Sequence, residues 1–63
     1  MKYPKLKAKR VELGLTQLDM ANKMGITLST YNLKEQGKRE FLASEIIKIL
    51  DIFKCAYEDI FLR

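Results

Sequence analysis

One cysteine and no histidine occur in the 63 residues of this chain, and that deficit constrains its fold more than any other feature. A lone thiol cannot close an internal disulfide, and without histidine the usual zinc-site spacings are absent. A chain of this length buries only about 60% of the surface its unfolded form exposes, near the lower limit for folding unaided. Any stable structure must come from a small apolar core, as one domain over residues 1–63. The composition supports such a core: 48% hydrophobic residues, 32% charged, one proline and three glycines argue against disorder or a fibrous repeat.

The same deficit bounds the chemistry. Imidazole catalysis is excluded, and Cys55 has no partner base, so it reads as a small apolar residue at a core or element junction. Glu58 and Asp59 are adjacent and would point about 100° apart on a helix; they read as solvated charges at a helix start. No enzyme activity, metal site, cofactor or small-molecule substrate is expected. No apolar run approaches the roughly 18 residues of a membrane span, and no secretory signal series is present. The chain is therefore expected to be soluble and cytoplasmic, with no membrane partner.

Apolar residues recur at intervals of three and four rather than alternating, which predicts an all-α fold of five short helices. Pro4 suits the first turn of a helix, which should run to about Leu13 and stop at Gly14. Leu6, Arg10 and Leu13 project within about 60° of one another. Arg10 thus lies in the middle of an apolar face, where a guanidinium is costly unless a carboxylate meets it. Thr16 reads as the N-cap of a second helix that carries Met20, Ala21 and Met24 on one face and ends at Gly25. Thr27 offers another N-cap almost at once. Two helices of about eight residues joined by so short a turn have helix-turn-helix spacing.

Projection of residues 28 to 36 places Tyr31 and Glu35 on one side, with Lys34 at its edge, and Ser29, Asn32, Leu33 and Gln36 on the other. Glu35 is therefore the natural partner for Arg10. The outward face holds hydroxyl, amide and aliphatic groups, which match base edges: amides to adenine, hydroxyls to several bases, leucine to a thymine methyl. A plain polar surface is the competing explanation. Gly37 stops this helix and Lys38-Arg39 follow, where they also complement the helix dipole. In a fourth helix from Ala43 to Phe53, the residues Ala43, Ile46, Ile47, Leu50 and Phe53 form the predicted inner face, with Ser44, Glu45, Lys48 and Asp51 outside. Residues 57 to 62 are predicted to form a short fifth helix.

Charge is unevenly spread. The first 39 residues hold nine Lys or Arg against three acids, and the rest hold three against five. That asymmetry favours a polyanion on the N-terminal side.

The run Leu13-Gly14-Leu15-Thr16-Gln17, then Ala21, Gly25-Ile26-Thr27, Ser29-Thr30, Glu35, Gly37-Lys38 and finally Glu58-Asp59-Ile60-Phe61 resembles the Cro and repressor-type helix-turn-helix domains of phages and prophages. The resemblance extends from Leu6 to Phe61. It implies a lambda-repressor-like five-helix domain in which helices two and three bind operator DNA. On that basis Thr27, Leu28, Ser29, Asn32 and Leu33 would enter the major groove. Gln17, Gln36, Lys38 and Arg39 would hold phosphates, and Arg10 with Glu35 would form a structural ion pair.

Several positions depart from the family's pattern. Lys34 replaces an aliphatic core residue, so either it snorkels to solvent or Leu33 turns inward. Leu42 and Ala56 stand where capping Ser or Thr is common. The resulting expectation is a non-enzymatic, sequence-specific regulator acting as a homodimer through Ile52, Tyr57, Ile60 and Phe61. The alternative is a protein-interaction module, such as an antirepressor or antitoxin-like adaptor, that uses Leu18, Leu28 and Leu33 against a protein.

Overall fold

A computed structural model describes residues 3–61. Four α-helices and one 3-10 turn follow in order: α1 (Pro4–Glu12), α2 (Gln17–Met24), α3 (Leu28–Glu35), α4 (Ala43–Phe53) and the turn Tyr57–Asp59. The predicted fifth helix is thus a single 3-10 turn, and Leu62 lies outside the described residues. Ala56 has no side-chain acceptor; the Asp59 carboxylate instead accepts from the Ala56 N–H at 3.1 Å, enough to hold one turn.

Local chemistry explains the helix limits. The Thr16 hydroxyl accepts from the Asp19 N–H (3.0 Å), while the Asp19 carboxylate accepts from the Thr16 N–H (2.8 Å), so each satisfies a backbone donor the helix start would leave unpaired. The Thr27 hydroxyl accepts from the Thr30 N–H at 3.2 Å. Between α2 and α3, Gly25 takes φ 71°, a left-handed conformation that β-carbons disfavour. That turn lets Ile26 N–H close on the Ala21 carbonyl at 3.0 Å, and α2 and α3 pack against each other.

The core gathers Leu6 from α1, Met20, Ala21 and Met24 from α2, Tyr31 from α3, Ile49 and Phe53 from α4, and Phe41, Ile60 and Phe61 from the connecting and terminal segments. Leu13, expected on the inner face of α1, is exposed: α1 ends at Glu12, and Leu13 belongs to the turn that leads into Gly14.

The α4 face is rotated from its predicted setting. Glu45, Ile49 and Phe53, spaced four apart, are buried, whereas Ile47 is 68% exposed and Ala43 is also outside. Lys34 causes the rotation. Its side chain neither snorkels nor displaces Leu33 inward; Lys34 is only 7% exposed and pairs with Glu45 at 2.5 Å, donating also to the Glu40 carbonyl at 3.3 Å. A buried ammonium requires a facing carboxylate, and turning α4 to supply one carries Ile47 outward. Glu45 also accepts from the Leu42 N–H at 2.8 Å, which supplies the cap that leucine cannot.

Aromatic rings complete the core. Phe61 meets Tyr3 edge-on (5.3 Å between centroids), Phe41 edge-on (5.7 Å) and Tyr57 in a stack (5.1 Å). Phe61 and Ile60 are consequently core residues, and Ile52 packs against the core in part.

The Arg10–Glu35 pair generates a stability test. Arg10 donates through Nε and an η nitrogen to the two Glu35 oxygens at 2.9 and 3.1 Å. Arg10→Met should destabilise the domain by about 3 kcal/mol or more by leaving a buried carboxylate without its cation; an unchanged thermal midpoint would show that the pair does not hold the fold.

Candidate nucleic-acid interface

The interface is built on one carboxylate. Glu35, fully buried in α3, accepts four hydrogen bonds: two from Arg10, one from the Tyr31 hydroxyl at 2.7 Å and one from Gln17 Nε2 at 3.2 Å. Burial pushes its carboxyl upward, but the hydrogen bonds from Arg10, Tyr31 and Gln17 outweigh burial and hold it below the ordinary value of 4.5. Tyr31 moves the other way: burial and the bond to Glu35 raise its phenol far above the usual range. At neutral pH Glu35 is thus a charged, acceptor-only group and Tyr31 a donor.

From Glu35 a row of amides leads to the surface. The Gln17 carbonyl oxygen accepts from Asn32 Nδ2 at 3.3 Å, and the Asn32 carbonyl oxygen accepts from Gln36 Nε2. This row joins the start of α2 to the outward face of α3. Gln17 and Asn32 are half-buried, and Gln36 is exposed. Two residues assigned to phosphates, Gln17 and Gln36, therefore flank one assigned to bases, Asn32, within a single network.

The remaining candidates sit around that row. Ser29 is exposed at the start of α3, with its hydroxyl 3.4 Å from that of Thr27. Thr27 is exposed too, but its hydroxyl is engaged locally, capping α3 and donating to the Thr30 hydroxyl at 2.8 Å. Leu28 and Leu33 are exposed. Gly37, at φ 83°, reverses the chain after α3, so that the N–H groups of Lys38 and Arg39 both return to the Leu33 carbonyl (2.9 and 3.3 Å). That closure leaves both cationic side chains exposed at the end of α3.

Sequence reasoning missed two neighbours. Val11 and Leu15 join Leu18 and Leu28 in a shallow groove that also includes Arg10, Thr16 and Gln17. Their apolar character on an otherwise basic first segment was the available signal. Of the residues expected at a dimer contact, Ile60 and Phe61 are buried within this chain at 2% and 8% exposure, and Ile52 is half-buried; Tyr57 alone is exposed, because it stacks on the outer side of Phe61. Among the described residues no group of three or more Cys, Asp or Glu is placed to hold a metal ion, and no helix is long and apolar enough to cross a membrane.

Two short capped helices around a glycine turn, with cations just past the end of the second, form a helix-turn-helix. A family model described as Helix-turn-helix matches residues 6–60. The chain belongs to that family, of Cro/C1 type, whose members are DNA-binding domains without enzymatic activity. No curated protein and no solved structure matches it.

The buried and capping carboxylates set the pH dependence of the fold. Burial raises Glu45, but the bonds from Lys34 and the Leu42 N–H prevail and lower it; hydrogen bonds from the Thr16 backbone and hydroxyl lower Asp19. Groups depressed in the folded state bind protons more readily when unfolded, so they stabilise the fold above the ordinary carboxylate range and lose that contribution as pH falls through their folded values. Urea unfolding should give a plateau near neutrality and a steady decline below about pH 4.5, the ordinary Glu value. Glu45→Gln should flatten the decline; stability that rises on acidification would contradict the assignment.

Proposed function

We propose that the chain is a sequence-specific transcriptional regulator of Cro or repressor type, of phage or prophage origin, that acts in the cytoplasm. It reads an operator through the major groove with α3. The observation that carries this reading is the outward face of α3, where Ser29, Asn32 and Leu33 stand in place of the Lys/Glu mixture of an ordinary solvated helix, and where the Asn32 amide is held by Gln17 and Gln36. Base edges are recognised by such groups: amides pair with adenine, hydroxyls with several bases, and leucine covers thymine methyls. Gln17, Gln36, Lys38 and Arg39 hold the phosphates on either side and set register rather than sequence. Thr27 contributes chiefly by capping α3 and aiming its first turn at the groove.

The domain measures 25 × 22 × 20 Å, so one copy spans roughly seven base pairs at about 3.4 Å each. Two copies on half-sites about 34 Å apart would supply the missing specificity. Of the four residues expected at their contact, Tyr57 is the exposed one.

A second reading is favoured by the exposed Val11, Leu18, Leu28 and Leu33: a protein-interaction module on the same fold. Salt separates the two. A DNA reader loses affinity linearly in log–log with salt, with a slope near −0.9 per phosphate neutralised, whereas an apolar protein contact is nearly indifferent.

Band-shift titrations against the DNA flanking the gene are expected to show steeply salt-dependent binding. Lys38→Ala should weaken all sequences alike and reduce the slope by about one. Ser29→Ala combined with Asn32→Ala should erase sequence preference while leaving the slope in place. Absence of binding at low salt, or an unaltered preference in the double variant, would sink this reading.

A further inference from the structure

We propose that Glu35 sets the polarity of the Asn32 side-chain amide through Gln17, so that Asn32 accepts adenine in one strand orientation only. The inference rests on the reading of α3 as the major-groove helix and adds what determines its selectivity.

The argument is one of donors and acceptors. Both Glu35 oxygens are occupied acceptors of an ionised carboxylate, and the oxygen facing Gln17 also takes an Arg10 bond at 3.1 Å. Gln17 must therefore turn its NH2 group inward, because the flipped amide would set two acceptor oxygens 3.2 Å apart. That choice leaves the Gln17 oxygen facing Asn32, which must answer with Nδ2 at 3.3 Å. The Asn32 oxygen then receives Gln36 Nε2. An isolated asparagine on a helix surface flips between two nearly equivalent states; here each flip is decided by the group before it, back to a buried charge.

With one N–H given to Gln17 and one lone pair to Gln36, the amide has a second N–H and a second lone pair to offer a base, with its nitrogen and oxygen in a fixed order. That is the pattern complementary to adenine N7 and N6 in the major groove. Guanine presents two acceptors there and is refused. Because N7 lies toward the adenine's own backbone and N6 toward the middle of the groove, a fixed order of donor and acceptor also separates an A·T pair from T·A. Gln17 is then a positioning residue for base choice as well as a phosphate holder, and its two functions are separable by measurement.

Selection of the full-length protein on randomised duplexes, followed by anisotropy titrations of the chosen site and its single-pair variants, tests this. Wild type should prefer A·T over T·A at one pair by about fivefold or more, the lower end of a bidentate contact. Asn32→Ala should abolish that preference. Gln17→Met, which keeps the Arg10 bonds to Glu35 but removes one of its four donors, should lower the thermal midpoint by less than Arg10→Met does, bring the A·T to T·A ratio toward one and weaken binding to all duplexes by a common factor. Side-chain amide NMR on the wild-type protein gives an independent readout, with one hydrogen each of Gln17 and Asn32 expected to exchange slowly. A ratio preserved in Gln17→Met, or fast exchange of these hydrogens, overturns the relay while leaving the DNA-reading assignment standing. A wild-type protein that selects no sequence overturns both.

Discussion

Everything in this domain is arranged around the saturation of one buried carboxylate. Glu35 receives donors from α1, α2 and its own helix, and Arg10, while holding it, also donates to the Leu15 carbonyl at 2.8 Å in the turn between α1 and α2. Burying a charge costs several kcal/mol unless its hydrogen-bonding capacity is met, and a carboxylate has about four acceptor sites. All four are used here. The consequence is mutual orientation: α1, α2 and α3 satisfy Glu35 together in one arrangement, and that arrangement sets the helix-turn-helix.

The same rule acts a second time one residue earlier in α3. Lys34, buried where an aliphatic side chain would pack more simply, is tolerated because Glu45 faces it, and Glu45 in turn closes the start of α4. Two departures from the family's usual residues, the lysine in α3 and the leucine before α4, thus share one remedy. The apolar share of so small a core is reduced by these ion pairs, and the ring cluster of Tyr3, Phe41, Tyr57 and Phe61 adds aromatic packing to it.

In many small domains the core and the binding face are separable, one set of residues for stability and another for recognition. Here the hydrogen bonds run without a break from the core carboxylate through Gln17 to Asn32 and Gln36. A charge placed for folding therefore also orders surface groups that can meet a base. The basic character of the N-terminal two thirds is the less informative part of the interface, since phosphates accept any well-placed cation; under the proposal made above, the order of amides carries the selectivity.

Much of this was legible in the sequence, because it follows from local chemistry. Thr16 and Thr27 cap helices, glycines end them, and a period of 3.6 sets Arg10 and Glu35 on inward faces; each depends on residues a few positions apart. What could not be read depended on groups distant along the chain. Glu45 lies on the charged side of any plausible projection of α4, and only the approach of Lys34, eleven positions earlier, makes its burial favourable and turns Ile47 to solvent. Ile60 and Phe61 look equally suited to a core or to a dimer surface until Tyr3 and Phe41 are seen to meet Phe61. Sequence by itself determined the four α-helices, the Thr16 and Thr27 caps and the demand for a buried acid, which are matters of backbone hydrogen bonding and periodicity. Tertiary structure alone decided which charges are buried, which apolar residues are left outside and which amides touch, because those outcomes depend on desolvation, and desolvation is a property of what else arrives at the same place.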